Sequence, residues 1–191
     1  MIRTVLTLLT LAASLCAAPI TYRVTVDTSA FASLNGQAEF QFNPGGTPDP
    51  LTAVVSSITG VGSYNEASRT GDVTGADPWT LGNTQLPTVV ILNLTGLTST
   101  FTFDVTLAGD ALDNPQSFDG TAFTLTMRDD QGVVLTGFNE PSLWLDVSFG
   151  SVFTFAQDQQ ITLDEVPEPA TVGLMLAGLL LAAGRYRCSR G

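Results

Sequence analysis

The run Thr100-Phe101-Thr102-Phe103-Asp104-Val105-Thr106-Leu107 decides how this chain folds. In an extended backbone successive side chains point to opposite faces, so Phe101, Phe103, Val105 and Leu107 share one side and Thr102, Asp104 and Thr106 the other. Such alternation of aromatic and β-branched residues with polar ones marks a half-buried strand. The same two-residue period recurs outward in both directions. Tyr22, Val24 and Val26 alternate with Arg23, Thr25 and Asp27; Ala38, Phe40 and Phe42 with Glu39 and Gln41; Phe123, Leu125 and Met127 with Thr124, Thr126 and Arg128. Leu143, Leu145, Val147 and Phe149 form a further apolar set, with Trp144 on the opposite face. Less regular strand candidates lie at residues 51–58, 88–94, 132–136, 152–155 and 161–163.

Between these runs stand turn formers: Asn43-Pro44-Gly45-Gly46, Asp77-Pro78, Asp113-Asn114-Pro115, Asp119-Gly120, Asp129-Asp130-Gln131-Gly132 and Asn139-Glu140-Pro141. No stretch of the central part offers ten residues of helical periodicity, and no repeat of fixed period appears. About ten short strands punctuated by turns predict an all-β fold, an antiparallel β-sandwich or jelly-roll-like domain.

The chain has 191 residues, 18 acidic and seven basic, for a net charge of −11. All seven basic residues are arginines, and there is no lysine or histidine. That excludes lysine Schiff-base and phosphate-loop chemistry, a histidine general base and histidine metal ligands. It also opposes a nucleic-acid partner, because an acidic body repels a phosphate backbone. Residues 19–166 hold 13 Asp, four Glu and three Arg, net −14, and neither of the two cysteines, Cys16 and Cys188. This part must therefore be stabilised by its core without disulfides, and its length suffices for one domain.

The two ends read differently. Residues 1–18 have the layout of a signal peptide: Arg3, an apolar core from Val5 to Ala13, then the small-residue stretch Ser14-Leu15-Cys16-Ala17-Ala18. Leu15 before Cys16 disfavours a lipid-modified cysteine. Residues 170–184 carry no charge, and Arg185, Arg187 and Arg190 follow at once. A helix of that length covers about 22 Å, short for a bilayer, yet arginine snorkelling and Tyr186 at the interface let it span. The arginines predict a cytoplasmic basic cap and place the body on the periplasmic side of the inner membrane. The expected organisation is therefore a signal peptide at 1–18, a β domain at 19–165 and a tail at 166–191 with a transmembrane helix at about 170–184.

Just before the apolar stretch stands Val166-Pro167-Glu168-Pro169. Its prolines stop a helix from starting earlier and leave the segment extended. The tail closely resembles those of PEP-CTERM precursors of Gram-negative bacteria, which join a Pro-Glu-Pro motif, a short transmembrane helix and an arginine-rich end. The resemblance implies recognition and processing by an exosortase, an integral membrane cysteine protease/transpeptidase. It implies release or attachment at the cell surface or in exopolysaccharide. Val26-Asp27-Thr28-Ser29, residues 38–45, residues 70–75 and residues 100–107 also resemble small PEP-CTERM precursors whose bodies have no assigned activity.

For chemistry within the body, only carboxylates remain. A glycosidase needs two of them about 5–9.5 Å apart; Glu39, Asp104 and Asp146 sit inside strand runs, the first two on faces expected to meet solvent. Trp144 beside Asp146 is a candidate sugar contact, with Trp79, Tyr64 and Tyr22 as further aromatics. Asp110, Asp113 and Asn114, and the adjacent Asp129 and Asp130, are candidate calcium ligands on turns, although neither group has EF-hand spacing. No cofactor is otherwise expected. Asn93-Leu94-Thr95 matches a glycosylation sequon at the end of an apolar run. The expected function is that of an exported, non-enzymatic surface or matrix protein with a structural or adhesive role. Its partners would be the export machinery, an exosortase, the inner membrane before processing, and exopolysaccharide. The alternatives are a carbohydrate-binding module and an extracellular hydrolase using paired carboxylates.

Overall fold

The strand that holds Phe101 and Phe103 is 20 residues long, and its bend organises the molecule. The computed structural model describes residues 19–167. The predicted signal peptide at 1–18, Glu168, Pro169, the apolar stretch 170–184 and Arg185, Arg187 and Arg190 lie outside the described residues. The strands are β1 (Ile20–Asp27), β2 (Gly36–Pro44), β3 (Thr52–Thr70), β4 (Val73–Gly75), β5 (Trp79–Gly82), β6 (Val89–Ala108), β7 (Thr121–Asp129), β8 (Leu143–Ser148), β9 (Ser151–Ala156) and β10 (Ile161–Val166). A 3-10 turn occupies Ser29–Phe31, and a four-residue helix α1 (Asp110–Asp113) follows β6. Every strand pairing is antiparallel. The predicted antiparallel, strand-dominated fold is therefore observed. Among the described residues no helix is long and apolar enough to cross a membrane.

β3 and β6 run against each other along their length and belong to both halves of the sheet. Residues 89–94 of β6 pair with β2, and the sheet continues through β7 and β8 to β9. Residues 100–107 pair with β1, which pairs in turn with β10. On the other flank, the start of β3 carries β5 and then β4. Along β6 the buried positions are Val90, Leu92 and Leu94, then Leu97, then Phe101, Phe103, Val105 and Leu107. The phase thus changes from even to odd across the bend. An extra residue of this kind is what a β-bulge supplies, and it keeps apolar side chains inward on both sides of a sharp turn. The opposing strand shows matching register shifts between Ser56 and Val61. The two apolar faces consequently meet: the Phe40 ring of β2 packs edge-on against Phe103 of β6 at 5.0 Å, and Phe123 lies 6.1 Å from Phe40.

The strand boundaries differ from the sequence expectation in four places. Residues 88–94 and 100–107 are one bent strand, and the strand begun at residue 51 or 52 continues to Thr70, because its second half is an exposed flank with no apolar alternation to reveal it. Residues 132–136 form only an isolated bridge between Arg128 and Val134. Phe149 does not join Leu143, Leu145 and Val147 in the core. It sits with Gly150 in the two-residue turn between β8 and β9, at φ of 46° and 77° respectively, and is half exposed. Two positive φ values are what a tight right-twisted hairpin requires.

Salt links tie the outer faces. Arg23 and Asp104 stand opposite each other on β1 and β6 and pair through two bonds, Nε to Oδ1 at 2.9 Å and Nη2 to Oδ2 at 3.0 Å. On β3, Arg69 pairs with Glu66, which also accepts the indole N–H of buried Trp79 at 2.9 Å. These arginine hydrogen bonds hold the Asp104 and Glu66 carboxyls below the usual carboxylate range.

A Cβ on Gly60, at φ +84°, would lie 1.8 Å from the Thr100 carbonyl oxygen, whereas Gly96, at φ +63°, has only the Gly62 nitrogen within 4 Å, at 3.9 Å. Gly60→Ala should therefore destabilise the fold far more than Gly96→Ala, whose cost is confined to backbone strain of about 1 kcal/mol; chemical denaturation of both variants checks the order. Because the folded carboxyls of Asp104 and Glu66 are depressed, their stabilisation is complete above the unfolded carboxylate range near pH 4 and is lost as pH falls through the folded values. Residues 19–167 contain no histidine or cysteine. The melting temperature should accordingly be nearly flat from about pH 6 to 9 and fall below about pH 4; a step near neutrality would contradict this.

Candidate functional site

Residues directly opposite on antiparallel strands share a face, so the register assembles the outer surface of the β2–β7–β8–β9 half in rows. One row is Asn43, Ala122, Asp146 and Phe153, and the next is Gln41, Thr124, Trp144 and Phe155. Their chain neighbours Phe42, Phe123, Leu145 and Val147 point the other way, into the core.

Polar side chains on the β2 side are locked to one another. Arg128 Nε donates to Glu39 Oε2 at 2.8 Å, and Arg128 also reaches Glu140. The Gln41 amide donates to Glu39, and Asn43 Nδ2 donates to Gln41 Oε1 at 2.9 Å. Asn43 Oδ1 then accepts the Thr88 backbone N–H at 3.2 Å. Glu39 lies on the outer face as expected, but bound to an arginine rather than free.

On the β8–β9 side the surface is aromatic. Trp144 is 39% exposed, Phe153 50% and Phe155 55%. Beyond the strand ends, Phe118 is 81% exposed and stacks on Phe149 with ring centroids 4.5 Å apart and planes within 8°. Two contiguous hollows lie here, of about 370 and 280 Å³, and share Asn43, Gly45, Ala122 and Trp144. The smaller has Phe118 and Trp144 among its walls, with Asp146 and Ser148 as polar groups. Asp146 sits close over Gly120: a Cβ there would be 2.7 Å from Asp146 Oδ1. Among the described residues, neither the Asp146 carboxylate nor the Trp144 indole N–H is engaged in a side-chain hydrogen bond. The surface thus presents flat apolar rings beside polar groups open to a ligand, among them the Asp146 carboxylate, the Trp144 indole N–H and the Ser148 hydroxyl.

The remaining sequence-predicted residues do not join this surface. Trp79 is buried, Tyr64 packs beside it at 6.1 Å, and Tyr22 is half-buried on β1. Asp104 lies on the outer face of the other half, so Glu39, Asp104 and Asp146 do not converge as a catalytic set. Asp110 and Asp113, with Asn114, occupy α1 and its end, beside the β8–β9 turn. Asp129 and Asp130 sit at the opposite end of the sheets. There Asp129 Oδ1 accepts the N–H groups of Gln131 and Val133 at 2.9 and 2.8 Å and closes a turn. Among the described residues there is no group of three or more acidic or cysteine side chains placed to hold a metal ion. Asn93 is on the outer face, accepting from Gln37 Nε2 at 3.1 Å.

Phe118, Phe149, Phe153 and Phe155 were not legible as site residues. The Phe149-Gly150 pair between two alternating runs is the signal that reveals the hairpin, and with it the outward direction of Phe153 and Phe155. Phe118 carries no such signal, since its position depends on where the 114–120 loop crosses the sheet.

The tail leaves from the other half. Val166, the last residue of β10, pairs with Thr21 at the start of β1, and Pro167 is exposed. Comparison with known protein families matches residues 165–190 to one family, described as the PEP-CTERM protein-sorting motif. No curated protein and no solved structure matches the chain. The chain thus carries a PEP-CTERM protein-sorting motif at its C-terminal end, the mark of an exosortase-substrate surface protein.

Proposed function

We propose that this protein is exported, held at the inner membrane by its tail with the body on the periplasmic side, and cut there by an exosortase to give a cell-surface or matrix form. Its body, a β-sandwich, serves a structural or adhesive role and not a catalytic one. The observation that carries this reading is the junction between body and motif. Thr21 stands opposite Val166, so the segment that follows the predicted signal peptide and the segment that enters the motif leave the body side by side. No linker separates the last strand from Pro167, and the folded body would hang directly above the bilayer by one edge. The uncharged stretch at 170–184 and the three arginines after it supply the membrane handle. The non-catalytic reading is supported by the dispersal of the strand carboxylates, two of which are bonded to arginines. A net charge of −14 over residues 19–166 would keep the released body soluble.

The junction also limits where processing can occur. Six register pairs hold β10 to β1 as far as Val166, and a protease must bind its substrate in a free extended form. The mature chain from the native host should therefore end at Pro167 or beyond it while lacking the arginine end, as intact-mass measurement will read. Removing the exosortase should leave the full tail in the inner-membrane fraction. A tail retained in unmodified cells would refute the sorting route, and a cut within residues 161–166 would refute the limit set by β10.

A further inference from the structure

We propose that the outer face of β7 and β8 binds an uncharged polysaccharide chain, seated in the slot between Phe118 and Trp144. This inference concerns the body and stands whether or not the tail is cut.

The slot has the parts that a sugar ring needs. A pyranose offers C–H faces above and below and hydroxyls around its rim. The C–H faces suit flat aromatic walls, and each hydroxyl both donates and accepts. Phe118 and Trp144 are the walls, and Gly45, Gly120 and Ala122 are small enough to let a ring settle onto the sheet. Asp146 supplies a free acceptor and the Trp144 N–H a free donor at the same place. Phe118 would be a poor wall if it swung freely at 81% exposure, but its stack on Phe149 fixes it. Phe149 itself adopts φ +46°, a conformation that L-residues with large side chains rarely take. The hairpin turn fixes that conformation and so holds the Phe149 ring in place beneath Phe118.

The ligand has more than one ring. The slot opens past Trp144 into the second hollow, and from Ser148 to Trp144 alone the strand advances about 13 Å. It is also uncharged. Every arginine among the described residues is bonded to a carboxylate: Arg23 to Asp104, Arg69 to Glu66, Arg128 to Glu39 and Glu140. Among the described residues no unpaired cation is left for a uronic acid, sulfate or phosphate group, and the acidic body repels a polyanion. A peptide is disfavoured for another reason: β7 and β8 are both interior to the sheet, so their backbone groups are already paired and offer no ladder for an added strand.

Only two tryptophans are present, and Trp79 is 3% exposed, so ligand-induced fluorescence change reports on Trp144. The full chain, purified in a detergent without a sugar headgroup, is titrated with cellohexaose, laminarihexaose, chitohexaose and mannohexaose, with an alginate hexamer as the anionic arm. At least one neutral hexasaccharide should give a saturable blue shift, with alginate at least tenfold weaker. Calorimetry should show Phe118→Ala and Trp144→Ala weakening binding at least tenfold and Asp146→Asn at least threefold. Leu34→Ala, an exposed apolar residue in the loop before β2, should leave it unchanged. Melting temperatures separate lost binding from lost folding, and Phe118 and Asp146 contribute little to the core. The proposal is overturned if no neutral hexasaccharide saturates, if alginate binds as well, or if folded Phe118→Ala and Asp146→Asn bind as the parent does. None of these results bears on whether the tail is processed, which intact mass alone decides.

Discussion

The two bends in β3 and β6 are the constraint on which the rest depends. Each strand must serve two halves of a sheet whose apolar faces oppose each other, and an unbroken alternation would turn one of those faces outward. The phase change between Leu94 and Phe101, with the bulged register opposite it, resolves this. Gly60 is tied to the same event, because only a residue without a Cβ can lie so close to the Thr100 carbonyl. The Phe40–Phe103 contact joins the two halves and exists only because the bend has been made.

A second constraint is the small number of cations. With three arginines against 17 acids in residues 19–166, each arginine is placed where two strands meet or where a carboxylate is half-covered. Exposed pairs contribute little stability by themselves, and their larger effect is to settle what the surface attracts. Arg128 draws Glu39, Gln41 and Asn43 into one bonded line along β2, separated by β7 from the β8 surface that carries Trp144 and Asp146. The aromatic surface is thus bordered by a rigid polar strip and carries no free positive charge. An isolated exposed aromatic needs no explanation, but several on one sheet face beside unengaged polar groups mark a contact surface.

Much of the fold was legible because alternation is local. Tyr22 to Val26, Ala38 to Phe42, Phe101 to Leu107 and Phe123 to Met127 declare their inner and outer faces in a few residues each, and the structure keeps those faces. Trp144 and Asp146 were legible as outward neighbours for the same reason. Phe149 was misplaced because the alternation that includes it runs past the end of β8, and a two-residue turn interrupts it without any change in hydropathy. The second half of β3 stayed hidden because a flank with few apolar contacts has no periodic pattern to show.

The amino-acid sequence by itself determined which faces are apolar, that no histidine or disulfide chemistry is available to the body, and that a sorting motif closes the chain. All three depend on residue type and short spacing alone. Only the tertiary structure decided that Phe118 stacks on Phe149, that Arg128 binds Glu39, that Phe118 joins Trp144 and Asp146 around one hollow, and that the two predicted calcium groups lie at opposite ends. These facts depend on strand register and on where long connections cross the sheet. Both are fixed by how the two bent strands close the core, a contact between residues far apart in the chain that no local pattern encodes.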